Sequence, residues 1–489
     1  MIGQEQLAKT APDFKGAIMD LDHLCCGSIS QIAPLIEDKS VSPVELTSAM
    51  LARIERIDPE LHAYVHVDPE QALRAAKSAQ AEILSGNYRG PLHGVPLGIK
   101  DIFDTVTMVT ESGSAQLRGR MPKSNAHVVD RLDAAGAIML GKQATAEFAF
   151  IGYPPEVAPA PVNPWSSDRT PGMSSGGSAV AVAASLCFGA FGSDTGGSIR
   201  FPSAVNGIVG LKPTFGRISR RGVHPFAATL DHVGPLARSV TDVGLLYQAV
   251  AGHDDGDPFS AAAEVSDPLA TLSKDVRGLR VGIDVRYFET YAEPEVIEAT
   301  LAAVARLEAN GMAVIPVDLS KIAEVCHHWL AVAGSEALQA YGRERFRQNG
   351  ALFGRNVREL LTVGDQTTAD DLLRAAAARR RTNTLLDIAF RQADYLLLPG
   401  IGSRVPPLAM MAAEPEVPPE AVAAAIAFSA PFNFSGHPTL SLPNGVDADG
   451  LPFGVQLVAR PFDEAGLLKV GYATEQSAPS LTRPHDSRV

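Results

Sequence analysis

The spacing of apolar residues along the chain predicts short strands that alternate with longer helices. From about residue 24 to residue 79 apolar positions recur at helical spacing, with Ser42 and Pro43 as the cap and first turn of one helix. Beyond this helical layer, short apolar runs predict strands and Ala-rich stretches predict helices. The predicted strands are 95–99, 137–140, 280–283, 313–317, 438–443 and 453–459, and the predicted helices include 128–135 and 293–309.

This alternation is typical of an α/β protein built on a sheet. A length of 489 residues is compatible with several domains of ordinary size, but one large sheet can use the whole length, and we expect one dominant domain. A Pro-rich stretch at 405–419 is predicted to be an irregular loop, and such loops often wall a pocket.

The composition favours a globular protein and argues against nucleic acid as a partner. Hydrophobic residues make up 46% and charged residues 20% of the chain, and the formal net charge is -13. A surface of this sign repels phosphate backbones and anionic lipid, so neither nucleic acid nor a membrane is an expected partner. The one compact basic run, Arg379 to Arg381, is predicted to be a solvated helix face.

Four cysteines, two of them adjacent, fit neither a disulfide framework nor a common zinc pattern. We therefore expect a reducing compartment and no bound metal. The first residues lack the basic start and apolar core of a secretory signal, so the expected location is cytoplasmic. The uncharged stretch 171–193 has an apolar part too short to span a membrane and is predicted to contain a buried helix.

Two glycine- and serine-rich turns carry the strongest candidates for chemistry. They are PGMSSGG, which contains Ser174, and GSDTGGS, which ends in Ser198, and an Ala-rich helix joins them. Glycines around a serine allow unusual dihedrals and close approach of a substrate, as a nucleophile with an oxyanion hole requires. The pattern alone leaves either serine as the nucleophile, with a pair of plain tight turns as the alternative.

A serine hydroxyl needs a base nearby, and Lys100 is the best candidate. None of the twelve histidines stands in a distinctive context, whereas Lys100 ends an apolar run and should lie at the end of a buried strand. Burial lowers the pKa of a lysine, so that the neutral amine can act as a base. The alternative is an ordinary lysine whose ammonium reaches solvent.

Three sequence blocks resemble the defining blocks of the amidase signature family. They are GVPLGIKDIFDT around Lys100, PGMSSGG around Ser174 and GSDTGGSIRFPSAVNGIVGLKPTFGRIS around Ser198. Further blocks in the family's order extend the resemblance from about residue 30 to residue 475. The resemblance implies a large mixed twisted β-sheet covered by helices on both faces. The implied organisation is an N-terminal helical layer at 1–79, a catalytic domain at 80–475 and a C-terminal tail at 476–489.

The resemblance also implies a Ser-cisSer-Lys triad that hydrolyses C–N bonds through an acyl-enzyme and needs no cofactor. Ser198 matches the nucleophile, Ser174 the bridging serine held by a cis peptide bond, and Lys100 the base. The matching oxyanion-hole residues, through their backbone N–H groups, are Thr195, Gly196, Gly197 and Ser198. The residues expected to support this site are Asp194, Arg200 and Ser175.

The variable segments 150–157 and 400–431 are candidate walls of the substrate pocket. Met173 stands where the family most often has glycine, which should alter the shape of the pocket and not the chemistry. Further candidate wall residues are Tyr153, Met410 and Phe428, with core packing as the alternative. Their apolar character favours aryl or alkyl amides and anilides as small-molecule substrates, with carbamates and esters also compatible. A homodimer is compatible with the sequence.

Two other functions fit parts of the sequence. Residues 172–176 match the G-x-S-x-G elbow of α/β-hydrolase esterases, which would pair Ser174 with a histidine, but that elbow requires a strand before it and residues 165–171 are polar. One branch of the resembled family is a subunit of the complex that amidates misacylated tRNA. LDHVGP and RFPSA stand where that branch usually carries a glutamine, which favours a free-standing hydrolase.

Residues 136–142 have the glycine and lysine spacing of a phosphate-binding P-loop but lack its Ser or Thr, and they predict a strand.

Overall fold

Eleven strands form one mixed sheet in the computed structural model, which describes residues 21–408 and 419–484. The strands are β1 Tyr64–Val67, β2 Pro96–Lys100, β3 Ile138–Gln143, β4 Gly189–Asp194, β5 Val209–Lys212, β6 His232–Ala237, β7 Arg280–Ile283, β8 Ala313–Pro316, β9 Tyr395–Pro399, β10 Thr439–Val446 and β11 Pro452–Val458. Their order across the sheet is β1-β3-β2-β4-β6-β5-β10-β11-β9-β7-β8.

Helices cover both faces of this sheet. In chain order they are α1 Leu21–Cys25, α2 Ile29–Glu37, α3 Pro43–Leu61, α4 Pro69–Leu84, α5 His127–Ala134, α6 Gly176–Ala183, α7 Arg200–Asn206, α8 Val240–Val250, α9 Val285–Tyr291, α10 Pro294–Ala309, α11 Trp329–Tyr341, α12 Arg343–Asn349, α13 Arg355–Gln366, α14 Ala369–Gln392, α15 Pro419–Ala425, α16 Ala430–Ser435 and α17 Glu464–Ser477. Shorter 3-10 turns are Ala115–Leu117, Glu147–Ala149, Leu269–Thr271, Ile322–His328 and Gly350–Leu352.

The sheet contains two parallel groups, an antiparallel middle and an antiparallel edge strand, β1, beside β3. β2 pairs in parallel with β3 and β4, and β7 pairs in parallel with β8 and β9. Between these groups, β6, β5, β10 and β11 are linked by antiparallel pairs. Because parallel strands end at the same edge of a sheet, the last residues of β2 and β4 lie close together.

The predicted elements that lead into the candidate site are confirmed. The apolar run before Lys100 forms β2, and Lys100 is its last residue. The uncharged stretch contains α6, in which every residue is buried. Residues 138–143 form a strand and not a P-loop. No helix among residues 21–408 and 419–484 combines the length and apolarity needed to cross a membrane.

Two details differ from the sequence predictions. Residues 64–67 form strand β1 within the stretch predicted as helical, because four residues are too few to show a period of two. The basic run lies on α14, but only Arg380 and Arg381 are exposed. Arg379 is partly buried: its guanidinium donates to the Thr229 carbonyl (2.8 Å) and lies 5.3 Å from the ring centre of Phe434.

Candidate active site

Lys100 and three serine hydroxyls meet at the shared edge of β2 and β4. Ser193 belongs to β4, while Ser174 and Ser175 form the turn that leads into α6. The amine Nζ of Lys100 lies 2.8 Å from Ser174 Oγ, 3.0 Å from Ser175 Oγ and 2.9 Å from Ser193 Oγ. All four residues are buried. The topology thus joins a strand end to a turn 74 residues farther along the chain.

The hydrogen bonds around Lys100 can form with the ammonium and with the neutral amine. The Ser175 hydroxyl donates to the Ser193 carbonyl (3.1 Å), so it can only accept from Lys100. An ammonium donates to all three hydroxyls. A neutral amine has two N–H donors and one lone pair, so it donates to Ser175 and to one of the other two hydroxyls and accepts from the third. Ser174, the nearest hydroxyl at 2.8 Å, can be the one that donates. The arrangement therefore places a proton acceptor next to the Ser174 hydroxyl.

Burial makes the neutral form accessible near neutral pH. Desolvation disfavours the charged amine and lowers the pKa of Lys100 to about 7, although the carboxylates of Asp194 and Asp231 act in the opposite direction. Lys100 has no carboxylate within salt-bridge distance among the described residues. A buried lysine without such a partner is the environment in which an amine can serve as a general base.

Gly192 allows Ser175 to reach this cluster. A Cβ atom on Gly192 would lie 2.7 Å from Ser175 Oγ and 3.0 Å from Ser175 Cβ, closer than real side chains approach. The Ser193 N–H also donates to Ser175 Oγ, at 3.3 Å. Ser175, predicted as a supporting residue, therefore fixes Lys100 against the backbone of β4.

Ser198 lies in the turn between β4 and α7 and is buried, with a relative exposure of 4%. Its hydroxyl makes no hydrogen bond with another described residue, and neither Ser174 nor Ser198 is bonded to a histidine within residues 21–408 and 419–484. The structure thus joins Lys100 to Ser174 and leaves the Ser198 hydroxyl free. The expected cis peptide bond beside Ser174 is not found, since the described residues contain no cis peptide bond. Ser174 reaches Lys100 at 2.8 Å with its trans backbone.

A buried ion pair holds the turn that carries Ser198. Asp194 accepts hydrogen bonds from Arg200 Nε (3.0 Å) and Nη2 (2.8 Å) and from Asn433 Nδ2 (2.8 Å). It also accepts from the backbone N–H groups of Gly197 (2.8 Å) and Ile199 (3.1 Å). Burial alone raises the pKa of Asp194, but the charge and hydrogen bonds of Arg200 hold it well below its usual range.

The bond from Gly197 to Asp194 changes the predicted oxyanion hole. With a φ of 133°, Gly197 directs its N–H to the carboxylate and not to a substrate. The N–H groups of Thr195, Gly196 and Ser198 donate to no other group in the described part of the chain. Three of the four predicted donors therefore remain available for an oxyanion.

Two side chains that sequence reasoning missed hold the carbonyls of this turn. The indole N–H of Trp329 donates to the Thr195 carbonyl at 3.0 Å, and the Ser429 hydroxyl donates to the Gly196 carbonyl. The only signal for Trp329 in the sequence is that the chain has just two tryptophans, and Ser429 stands in no distinctive motif. Ser193, also missed, was signalled by its place in the GSDTGGS block next to Asp194.

The family profile for amidases matches residues 45–468 of this chain. The chain belongs to the amidase family. AmiD of Mycobacterium tuberculosis strain H37Rv, a protein assigned as an amidase, is 40% identical over 459 residues, which cover 94% of this chain and 95% of that protein. A glutamyl-tRNA(Gln) amidotransferase subunit of Myxococcus xanthus is 39% identical over 472 residues, which cover 91% of this chain and 96% of that protein.

Solved amidase structures share the fold. Peptide amidase from Stenotrophomonas maltophilia superposes with a TM-score of 0.79 and 30% identity, covering 94% of this chain and 98% of the peptide amidase. The 6-aminohexanoate cyclic dimer hydrolase superposes with a TM-score of 0.83 and 28% identity, covering 94% of this chain and 99% of that enzyme. The chain is thus a hydrolase of the amidase signature family that acts on amides. The esterase alternative also fails on structure, because residues 165–171 contain no strand.

The residues predicted to line the substrate pocket lie in different environments in the structure. Tyr153 borders a cavity of about 610 Å³, and its hydroxyl donates to the Met173 carbonyl at 3.2 Å. Met173 is partly buried, and its sulfur would lie 3.7 Å from a Cβ on Gly197. Phe428 is a buried core residue whose ring centre lies 5.3 Å from that of Tyr287. Met410 lies outside the described residues.

A strained segment borders two cavities of the amidase. Phe148 and Ala149 have φ values of 51° and 62°, a conformation that costs non-glycine residues about 1–3 kcal/mol each. Ala149 and Ser193 line a cavity of about 210 Å³, while Glu147 and Tyr153 line the larger one. The smaller cavity thus borders a residue whose hydroxyl contacts Lys100.

Proposed function

We propose that this amidase cleaves the C–N bond of amides with Ser198 as the nucleophile, Ser174 as a proton relay and Lys100 as the base. The observation that carries the proposal is the buried amine of Lys100 at 2.8 Å from Ser174 Oγ, because the neutral form of this amine has a lone pair for the Ser174 hydroxyl hydrogen. The other supports are the free hydroxyl of Ser198 and the unpaired N–H groups beside it.

Acylation begins with attack by Ser198 Oγ on the amide carbonyl carbon. The Ser198 proton passes to Ser174, whose own proton passes to Lys100, which becomes an ammonium. The N–H groups of Thr195, Gly196 and Ser198 stabilise the oxyanion of the tetrahedral intermediate. The C–N bond then breaks, the proton returns through Ser174 to the departing amine nitrogen, and the acyl group remains on Ser198.

Deacylation repeats these steps with water. Lys100 accepts a proton from water through Ser174 as the water oxygen attacks the acyl carbon. The C–O bond to Ser198 breaks, and the proton is returned to Ser198 Oγ. The products are the free acid and the amine, and the site contains all the proton-transfer groups that this sequence requires.

Uncharged aryl or alkyl amides and anilides are the proposed substrates. Aromatic rings stand beside the oxyanion turn: Phe150 stacks on Trp329 at a centroid distance of 6.0 Å, and Phe226 lies 6.1 Å from the same ring. The large cavity adds apolar residues such as Ile151 and Leu408. Carbamates are included in the proposal, since the same attack and the same C–N cleavage apply to them. The neighbours named as peptide amidase and cyclic dimer hydrolase support an amide bond as the target.

Turnover of a substrate panel by matched variants tests the proposal. The panel contains anilides, primary aliphatic amides, aryl carbamates and nitrophenyl esters. Ser198→Ala, Ser174→Ala and Lys100→Met should each lower kcat on the preferred amide by at least about 1,000-fold. Ser178→Ala is the matched control, because Ser178 is a fully buried serine four residues after Ser174 whose hydroxyl has no hydrogen-bond partner among residues 21–408 and 419–484. Full activity of Lys100→Met would contradict the proposal.

Work within an amidotransferase complex is the second candidate function, supported by 39% identity to the Myxococcus xanthus protein. We propose the free-standing form, in which the purified chain alone hydrolyses its substrate as a monomer or as a homodimer. Activity that appears only after addition of partner subunits would favour the second candidate.

A further inference from the structure

The carbonyl groups of the oxyanion turn are held from distant parts of the fold. Trp329 opens α11 and lies 134 residues from Thr195, whose carbonyl accepts its indole N–H at 3.0 Å. Ser429 lies 233 residues from Gly196, whose carbonyl accepts its hydroxyl hydrogen. Neither side chain is placed to touch the triad hydroxyls or Lys100 by any hydrogen bond among the described residues.

Holding a carbonyl also sets the direction of the next N–H. In a planar trans peptide the C=O of one residue and the N–H of the following residue point in opposite directions. The peptide between Thr195 and Gly196 is trans. When Trp329 holds the Thr195 carbonyl, the Gly196 N–H is therefore turned away from the indole, and it is one of the N–H groups left free.

The neighbouring peptide gives a contrast within the same turn. Ser429 holds the Gly196 carbonyl, and the N–H of that peptide belongs to Gly197 and is bonded to Asp194 at 2.8 Å. This second peptide is thus held at both ends. The first peptide is held at the carbonyl by Trp329, and its N–H donates to no other group among the described residues.

The indole is itself fixed in place. Trp329 has a relative exposure of 4% and packs against Phe150 and Phe226, which also contact each other. A Cβ atom on Gly196 would lie 2.9 Å from the indole nitrogen and 3.0 Å from the adjacent ring carbon, so the glycine lets the ring lie against the backbone. The close packing of the ring and the backbone therefore holds the indole N–H at ordinary hydrogen-bond distance from the Thr195 carbonyl.

We propose that Trp329 is a positioning residue that aims the Gly196 N–H at the oxyanion of the transition state. The inference rests on the proposed function, since an oxyanion forms only if Ser198 attacks a carbonyl. Trp329 acts through the peptide plane and does not touch the substrate oxygen. Its contribution is made in the transition state more than in the substrate complex, so it belongs in kcat and not in KM.

Trp329→Phe tests this role on the best amide of the panel. The variant keeps an aromatic ring and loses the N–H donor. We expect kcat to fall by about 10- to 100-fold while KM changes by less than about 3-fold. The affinity for phenylboronic acid should fall by a factor similar to that for kcat, because the serine–boronate adduct places an anionic oxygen in the same hole. A rise in KM by the same factor as the fall in kcat, or an unchanged kcat, would overturn the proposal.

Trp165→Phe is the matched control. Trp165 is the other tryptophan of the chain, and its indole N–H also donates to a backbone carbonyl, that of Asn206 at 3.0 Å. Loss of this bond should leave kcat within about 3-fold of wild type. Ser429→Ala is the second comparison and should lower kcat several-fold less than Trp329→Phe, because Asp194 still holds the Gly197 N–H. Equal losses in Trp165→Phe and Trp329→Phe would mean that Trp329 is only structural.

A shape-matched substitution covers the case in which Trp329→Phe does not fold. Replacing Trp329 with 3-benzothienylalanine in the Trp165→Phe protein exchanges the indole N–H for sulfur and keeps the ring size. The same selective fall in kcat is expected, and normal kcat in this protein would overturn the inference. The two claims fail by different results. Activity that survives Ser198→Ala contradicts the proposed function. Normal kcat in the Trp329 variant, with Ser198→Ala inactive, contradicts only the inference about Trp329.

Discussion

At Lys100 the low pKa requires a particular dependence of activity on pH. Burial lowers the pKa of this amine to about 7 from its ordinary value of 10.5. Below pH 7 the ammonium has no lone pair for the Ser174 proton, so kcat/KM should fall about tenfold per pH unit as the solution becomes more acidic, and should level off above pH 8. A pH profile measured on a substrate that does not titrate checks this. A profile flat from pH 5 to 9 would contradict a lysine base.

At Gly192 a single methyl group should disturb the base. An added Cβ would meet Ser175 Oγ at 2.7 Å, so Gly192→Ala should move Ser175 away from Lys100 and lower kcat by at least about tenfold. Gly350→Ala is the control, because the nearest atom to its added Cβ is a side-chain carbon of Phe346 at 3.6 Å. The control should retain kcat within about 2-fold. Equal activity of both variants would show that Ser175 is dispensable for positioning Lys100.

Candidate site residues such as Ser174 and Lys100 were predictable from the sequence because they stand in distinctive motifs. The bonds between them were less accessible. The donation from Gly197 to Asp194 depends on a φ of 133°, which the letters GG do not specify. For Phe428 the apolar side chain was compatible with a pocket or a core, and packing against Tyr287 decided for the core.

At the scale of elements, the turn between β4 and α7 depends on the pair Asp194–Arg200. Both side chains have no solvent exposure, and their closest atoms are 2.8 Å apart. Asp194→Asn should reduce the free energy of unfolding by about 3–5 kcal/mol, because it leaves a buried guanidinium without its counter-charge. Urea unfolding followed by circular dichroism measures the change, and activity should be lost together with the geometry of the turn.

The exposed pair Arg374–Asp370 provides the comparison for this element. Its atoms are 2.6 Å apart, but the side chains are 70% and 65% exposed. Arg374→Ala should change the free energy of unfolding by less than about 0.5 kcal/mol, as is usual for a solvated pair one helical turn apart. Similar losses in the free energy of unfolding for Asp194→Asn and Arg374→Ala would mean that burial does not determine how strongly the Asp194–Arg200 pair stabilises the fold.

Local elements were predictable because their signals are local. The apolar run before Lys100 became β2, the Ala-rich stretch became α6, and Ser42 caps α3 by accepting from the Glu45 N–H. Trp329 could not be connected to Thr195 in this way. The contact depends on how α11 packs against neighbouring helices such as α13 and α14, and 134 residues separate the two partners.

At the scale of the whole molecule, one chain contains every group that the proposed chemistry uses. Purified protein without partner subunits should therefore hydrolyse its amide, and dialysis against a chelator should leave kcat within about 2-fold of the untreated value. Size-exclusion chromatography coupled to light scattering on the same sample determines whether the active particle is a monomer or a dimer. Loss of activity on dialysis that returns with added metal would contradict a purely serine–lysine mechanism.

The order of strands in the sheet shows why the whole fold exceeds what the sequence pattern predicts. The α/β class was predictable from the alternation of strand-like and helix-like spacing of apolar residues. The pairing of strands was not, because neighbours such as β5 and β10 lie more than two hundred residues apart in the sequence. Periodicity carries no information on such pairing. The resemblance to amidases provided the mixed sheet, and its motifs provided the triad positions.

Mass spectrometric localisation of the acyl group tests the central claim most directly. The enzyme is mixed with a nitrophenyl ester or aryl carbamate, quenched with acid within the first turnover, digested and mapped. The account predicts an acyl group on Ser198 in the wild type, a strongly slowed appearance of the same adduct in Lys100→Met, and no adduct in Ser198→Ala. An acyl group on Ser174, or continued turnover with no acylated serine, would contradict it.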